Sequence, residues 1–223
     1  MTAETKINQS FPNIIDQTPS YVVFSHLMAT GFSYTLVRDW VEAQSGRALA
    51  ELAGLKPHQK LLLLSDGSMT LDLELLFGSP VEVEVEFTAT ASLSAADAAY
   101  LDEDESMEVT EREVWLTVGG RKLVWAHTLI PARRVSPEIK EALDKPTGEP
   151  IGRVLNSKKV FFSKSRLDVG VVACAHASKG LGLAPDTPLV ARRYILSNRE
   201  GQEWLIKAAI TEIFSPDIIS AGL

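Results

Sequence analysis

Two charged residues occupy strand positions that alternation otherwise gives to apolar side chains. Along residues 203–214, Trp204, Ile206, Ala208, Ile210, Glu212 and Phe214 share one face, while Glu203, Lys207 and Thr211 share the other. A carboxylate buried without a partner is costly to desolvate or is driven to protonate. Glu212 is therefore either chemically employed or a strand-end acid that emerges into solvent just before Pro216. The same parity puts Arg112 with Val114, Leu116 and Val118, against Glu111, Glu113 and Thr117. A guanidinium stays charged and offers a planar fork of donors, which suits a bidentate grip on a carboxylate; the plainer alternative is an ion pair with Glu212 or another nearby acid. A third element is Gly148-Glu149-Pro150-Ile151-Gly152, which reads as the opening of a helix with free backbone N–H groups. Arg112 and these amides make a carboxylate-binding corner, with Glu212 as acceptor or base for a hydroxyl or a carbon-bound proton.

The elements that must hold these groups are mostly strands. Val81, Val83, Val85 and Phe87 alternate with Glu82, Glu84 and Glu86, the period of a strand with one buried and one wet face. Residues 107–130 read as two strands turned at Gly119-Gly120, and residues 189–215 as a second hairpin turned at Asn198-Arg199-Glu200-Gly201. Ser136-Pro137-Glu138 supplies a cap and an N1 proline for a short helix through Leu143. Leu36, Val37, Trp40, Val41, Leu49, Leu52 and Leu55 fall at three-to-four spacing, so residues 20–60 read as a helical extension, interrupted near Gly46. Residues 69–77 fit either a short helix or a strand, and residues 1–19 read as a polar N-terminal arm. The fold class expected is α+β, an antiparallel β-sheet with helices packed on it, in one domain over residues 1–223.

Several blocks occur in a fixed order: Asp66-Gly67-Ser68-Met69-Thr70, the Arg112-Glu113-x-x-Leu116 strand leading to Thr128-Leu129-Ile130-Pro131, Pro150-Ile151-Gly152-Arg153, Ala191-Arg192-Arg193, and Thr211-Glu212-Ile213-Phe214-x-Pro216. In these blocks the sequence resembles the chorismate pyruvate-lyase (4-hydroxybenzoate synthase) family over roughly residues 60–219. The resemblance implies that Arg112 and the backbone at Ile151 and Gly152 hold a ring carboxylate, and that Glu212 and the backbone at Met69 hold a ring hydroxyl. It implies a cofactor-free elimination of pyruvate from chorismate, leaving 4-hydroxybenzoate, in a pathway to quinones. It leaves open whether Glu212 is a base or only positions the hydroxyl. The chain departs from the family at Ala126-His127, where many members carry a glycine-arginine pair, and in an expanded stretch at 157–188. A relative whose pocket serves another small aryl or enol carboxylate is the alternative, as is a non-catalytic ligand sensor, because the same fold serves as the effector domain of some transcription regulators.

Composition narrows the partners. With 45% hydrophobic and 23% charged residues the chain is ordinarily globular. A formal charge of −7 opposes a nucleic-acid-binding role, and residues 1–60 show no recognition-helix pattern. Stable membrane insertion is not expected, since no apolar run approaches the ~20 residues that span a bilayer. The first residues lack the basic start and apolar run of a secretory signal, so a cytoplasmic protein is expected. The lone Cys174, among valines and alanines, reads as a small core residue. His26, His58, His127 and His176 lack metal-ligand spacing, and no metal is expected. Arg192 and Arg193 fit either recruitment of an anionic substrate or a structural or steering role, with one of the two sent to solvent by alternation, and the acidic run Asp102-Glu103-Asp104-Glu105 reads as a solvated loop.

Overall fold

A computed structural model of the chain describes residues 23–25, 32–145 and 148–221; the arm at 1–19 and His26 lie outside the described residues. In chain order come β1 (Val23–Ser25), β2 (Ser33–Glu42), α1 (Gly46–Glu51), α2 (Pro57–Leu64), α3 (Met69–Phe77), β3 (Glu82–Ser92), α4 (Ala95–Leu101), β4 (Glu108–Val118) and β5 (Arg121–Pro131). A 3-10 turn at Ala132–Arg134 leads to α5 (Pro137–Leu143), α6 (Ile151–Ser157), β6 (Ser163–Ala173), α7 (Ala175–Gly180), β7 (Pro188–Glu200) and β8 (Glu203–Phe214). The eight strands form one antiparallel sheet in the order β1-β2-β6-β7-β8-β5-β4-β3. This is the α+β arrangement expected.

The local chemistry explains most boundaries. Gly119 and Gly120, at φ 57° and 75°, make the left-handed turn that joins β4 to β5. Ser136 caps α5 through its side chain, with proline at the first helical position. The 69–77 segment is a helix because Ser68 accepts from the Leu71 amide at one end and Gly78, at φ 64°, ends it at the other. The second hairpin turns at Gly201-Gln202, slightly later than expected, since a register shift at Asn198/Arg199 lets β7 run on to Glu200.

The expected helical extension is corrected in its first part: residues 33–42 are a strand, and only α1 and α2 are helical. Register shifts between Leu36 and Arg38, and again between Arg38 and Val41, break the alternation of β2. Those irregularities produce the three-to-four spacing of Leu36, Val37, Trp40 and Val41, while the Tyr, Thr, Val and Trp content suits a strand. The stretch 157–188 contains β6 and α7, and β6 lies between β2 and β7 inside the sheet.

Both faces of the central strands are covered, while β3 at the edge has no buried residue. On one face, α2, α3, α5 and α6 pack over Val114, Leu116, Val124, Leu196, Ile210 and Phe214. On the other, α4 and α7 cover Trp115, Trp125, Leu129 and Ile213. Trp115 and Trp125 are cross-strand partners with no exposed surface. At about 25 cal/mol per Å² over the area such a ring buries, each contributes roughly 4–6 kcal/mol of transfer free energy. Because this second face is buried too, Glu111, Glu113 and Thr117 are core residues. Cys174 is likewise buried, and burial pushes its thiol pKa up.

The acidic run is exposed, as expected, at Asp102, Asp104 and Glu105, and is corrected at Glu103 alone. Asp102 ends α4 in the left-handed region, and Glu103 turns inward to accept from Arg134 at 2.8 and 3.0 Å and from Lys207 at 2.7 Å. Burial alone would raise the Glu103 pKa, but these two cations pull it below the usual carboxylate value.

Candidate functional site

The even-numbered residues of the central strands form the floor of a cavity beneath α3 and α6. Arg112 on β4 lies opposite Thr128 on β5, and Glu212 on β8 lies opposite Ala126 on β5. The two charged residues are thus two strand spacings apart, about 10 Å, and one row of residues out of line. Between them the floor is apolar: Val114, Leu116, Ala126 and Ile210. Such a span accommodates a six-membered ring with polar substituents at opposite ends. About 520 Å³ of space lies within the cavity and its mouth, part of it open to solvent.

All five sequence-predicted positions, Met69, Arg112, Ile151, Gly152 and Glu212, line this one cavity. Arg112 is 3% exposed. Its single hydrogen bond among the described residues runs to the Glu149 carbonyl at 3.2 Å, and no carboxylate lies within ion-pair distance of it. Burial lowers its pKa to about 10, with Asp144 acting in the opposite direction. The expected alternative, a pair with Glu212, is not what forms. Arg112 is a buried cation on the cavity wall.

Ile151 and Gly152 open α6, with Pro150 at the cap, so their amides have no helical acceptor. Gly152 is needed for fit: a Cβ there would lie 2.6 Å from Ser68 Oγ. The start of α6 is therefore in direct contact with the start of α3, where Met69 holds the first helical position. Arg153 reinforces the junction by donating to Glu74 at 2.5 Å.

Glu212 is 4% exposed and has its own buried partner. Arg192 Nε donates to Oε2 at 2.5 Å, and the Tyr194 hydroxyl donates to Oε1 at 3.2 Å. Arg192, with no exposed surface, also donates to the carbonyls of Leu62 at 2.6 Å and Ser65 at 3.1 Å, which stabilises the C-terminal end of α2. Burial acts to lower the Arg192 pKa, but the adjacent Glu212 carboxylate holds it above the usual value. Burial, seconded by Glu212, drives the Tyr194 phenol well above its ordinary pKa, so it serves as a donor. Neither arginine of the 192–193 pair is a free solvent-facing cation: Arg193 donates to Asp168 at 3.0 Å and stacks on Trp40 and Tyr100.

Sequence reading offers Arg192 as one of two cations with a recruiting or structural role, without its pairing to Glu212, and it does not reach Lys164. Arg192 shares a cross-strand register with Glu212, a signal that emerges only once the β7–β8 hairpin is paired residue by residue. Lys164 enters from β6, whose alternation is broken by a register shift between Ser165 and Asp168. It lines the cavity with its ammonium 4.5 Å from the centre of the Tyr194 ring.

The opposite face carries a different constellation. Glu111, Glu113 and His127 bring ligand atoms within 4.8 Å of one another, as do Glu86, Glu113 and His176. His127 shares a 2.7 Å hydrogen bond with Glu111 and stacks on Phe32. Spacing along the sequence gave no sign of these groupings, because they assemble across paired strands. His127, at the position where the chain departs from its relatives, points away from the cavity.

The comparisons agree with this architecture. Among solved structures, the effector domain of PhnF from Mycobacterium smegmatis matches with a TM-score of 0.53 at 17% identity, over 69% of this chain and 91% of that one. PhnF from the same organism matches at 0.52 and 18%, over 69% of this chain and 66% of that one. At such identities the likeness shows the fold alone. A search of curated proteins finds no match. A family model described as "Chorismate pyruvate-lyase Rv2949c-like" matches residues 63–221. Since that match spans well over half its length, the chain belongs to the Rv2949c-like chorismate pyruvate-lyase family.

Proposed function

We propose that the chain is a chorismate pyruvate-lyase that converts chorismate to 4-hydroxybenzoate and pyruvate without a cofactor. The observation that carries this reading is the cavity itself: a buried Arg112 with no carboxylate of its own faces a buried, anchored Glu212 across an apolar floor. Arg112 and the amides of Ile151 and Gly152 receive the ring carboxylate. Glu212 and the Met69 amide receive the ring hydroxyl. In the reaction the ether C–O bond breaks as the C–H bond at the hydroxyl-bearing carbon gives its electron pair to the ring. The proton ends on the methylene of the departing enolpyruvate, and aromatisation drives the step.

The protein's contribution is to strip water from a charged substrate and fix its conformation. Glu212 already accepts from Arg192 and Tyr194, which favours positioning the hydroxyl over abstracting a proton. Incubating the pure chain with chorismate should release 4-hydroxybenzoate and pyruvate in equal amounts, and the absence of both would sink the reading. Arg112→Ala and Glu212→Gln should each lower kcat/KM by about 100-fold or more, the scale of losing a charge-assisted contact in a water-poor site.

A second reading is favoured by the effector-domain likeness: a pocket that binds a small aryl or enol carboxylate without turning it over. Saturable chorismate or 4-hydroxybenzoate binding with no product formed would select it.

A further inference from the structure

We infer that Lys164 is a specificity-determining residue that receives the second carboxylate of a dicarboxylate ligand, the enolpyruvyl carboxylate where that ligand is chorismate. The inference rests on the proposed lyase reading for the ligand's identity.

The argument begins with the charges that line the cavity. Arg112 stands at one end with no carboxylate of the described residues within ion-pair distance, Asp144 acting on it only from further off. At the other end Glu212 is matched by Arg192 in a 2.5 Å pair, so those two charges offset each other. Lys164 is left over. Its ammonium donates to the Ser65 carbonyl at 3.3 Å and lies over the Tyr194 ring, and among the described residues no carboxylate comes within ion-pair distance. The charged and titratable groups around it are Arg192 and Tyr194 on β7, Glu212 on β8, Asp72 on α3, and Asp66 in the turn before α3. Burial and Arg192 outweigh those acids and lower its pKa to about 8. A half-buried ammonium with one long neutral acceptor has donors to spare. The cavity thus presents two unmatched cations, one for each charge of a dianion, whereas a monocarboxylate would satisfy only one.

Position supports the same assignment. Lys164 lies in register with Leu196 on β7, two residues beyond Tyr194, which itself donates to Glu212. In chorismate the enolpyruvyl ether sits on the ring carbon next to the one bearing the hydroxyl. A hydroxyl held at Glu212 therefore places the ether, and the carboxylate beyond it, beside the Tyr194 and Lys164 wall rather than at Arg112.

The test compares Lys164→Met and Lys164→Arg with the wild-type chain, using chorismate as substrate and 4-hydroxybenzoate as competing monocarboxylate, with thermal unfolding to confirm folding. In Lys164→Met, KM for chorismate should rise about tenfold or more, the scale of one charge-assisted hydrogen bond. The affinity for 4-hydroxybenzoate should stay within about twofold, kcat should change far less than KM, and Lys164→Arg should recover most of the loss. An equal loss for both ligands, no loss for either, or a loss confined to kcat overturns the inference while leaving the lyase reading intact. If the wild-type chain binds chorismate without turnover, the same comparison is made on dissociation constants, with the same outcomes deciding. If it binds no chorismate at all, both readings fall together.

Discussion

Arg112 and Glu212 look alike by alternation, each a charge among apolar neighbours, yet their surroundings assign them opposite energetic roles. Arg112 is buried without a counterion, so the folded chain tolerates a desolvation cost that a ligand would offset. Arg112→Met should therefore abolish turnover while leaving the unfolding free energy unchanged or higher by up to about 2 kcal/mol, measured by chemical denaturation. Glu212 is the reverse case. Glu212→Leu removes the partner of a fully buried guanidinium and should cost about 3–5 kcal/mol, in addition to activity. The pH dependence belongs to this scale too. Lys164, lowered to about 8, is an ammonium below that pH and loses its charge above it. On the lyase reading, KM for chorismate should be flat from about pH 6 to 7.5 and rise above pH 8, and in Lys164→Arg the rise should vanish. Parity along single strands located Arg112 and Glu212 because each strand is regular around them. It does not reach Lys164 or the pairing of Arg192 with Glu212, whose significance depends on which strand lies next door.

At the level of elements, the cavity depends on two helix starts held against each other. The N-termini of α3 and α6 meet at Ser68 and Gly152, and the contact leaves no room for a side chain at the glycine. Gly152→Ala should push α6 off the cavity and lower kcat/KM by about tenfold or more, since small displacements of binding groups are costly. Adding Ser68→Ala should recover much of the loss, because the hydroxyl is the obstructing atom and its capping bond to Leu71 is long at 3.5 Å. A double-mutant cycle on activity would show this coupling. The elements readable from sequence were those with strong local chemistry: the Gly119-Gly120 hairpin, the Ser136-Pro137 cap, the Pro150 helix start. Those misread were shaped by irregular pairing. Arg166, at φ 52°, sits within the β6 irregularity and shifts the strand's faces in a way no periodicity exposes. The bulges of β2 imitate a helix for the same reason. No local pattern marks Glu103 as paired, because its partners, Arg134 and Lys207, come from distant parts of the chain.

For the molecule as a whole, the central strands of the sheet have two buried faces with different chemistry, and the cavity lined by Arg112 and Lys164 lies on the face under α3 and α6. A ligand that spans β4 and β8 ties together strands far apart in sequence. On the lyase reading, 4-hydroxybenzoate at about 100 times its Kd should raise the unfolding free energy by about 2.7 kcal/mol, a Tm increase of roughly 5–10 °C for a chain of this size. Thermal unfolding with and without the ligand measures it, and Arg112→Met should remove the shift. The net charge of −7 belongs to this scale as well: the chain should not retard duplex DNA at about 0.1 M salt, because it lacks the surplus of cations that counterion release requires.

The strand order carries a consequence in time. β3, β4 and β5 follow one another along the chain and pair as a unit, β6, β7 and β8 do the same with β1 and β2 added beyond β6, and the two meanders are hydrogen-bonded strand to strand where β5 meets β8. Arg112 belongs to the first and Glu212 to the second. Until the chain has been made through Phe214 and that seam has closed, the two halves of the cavity are on separate pieces. Such long-range pairing is slow relative to hairpin closure, so binding competence waits on a step later than the closure of either hairpin. A ligand that bridges the seam would report complete molecules and ignore every partly folded one.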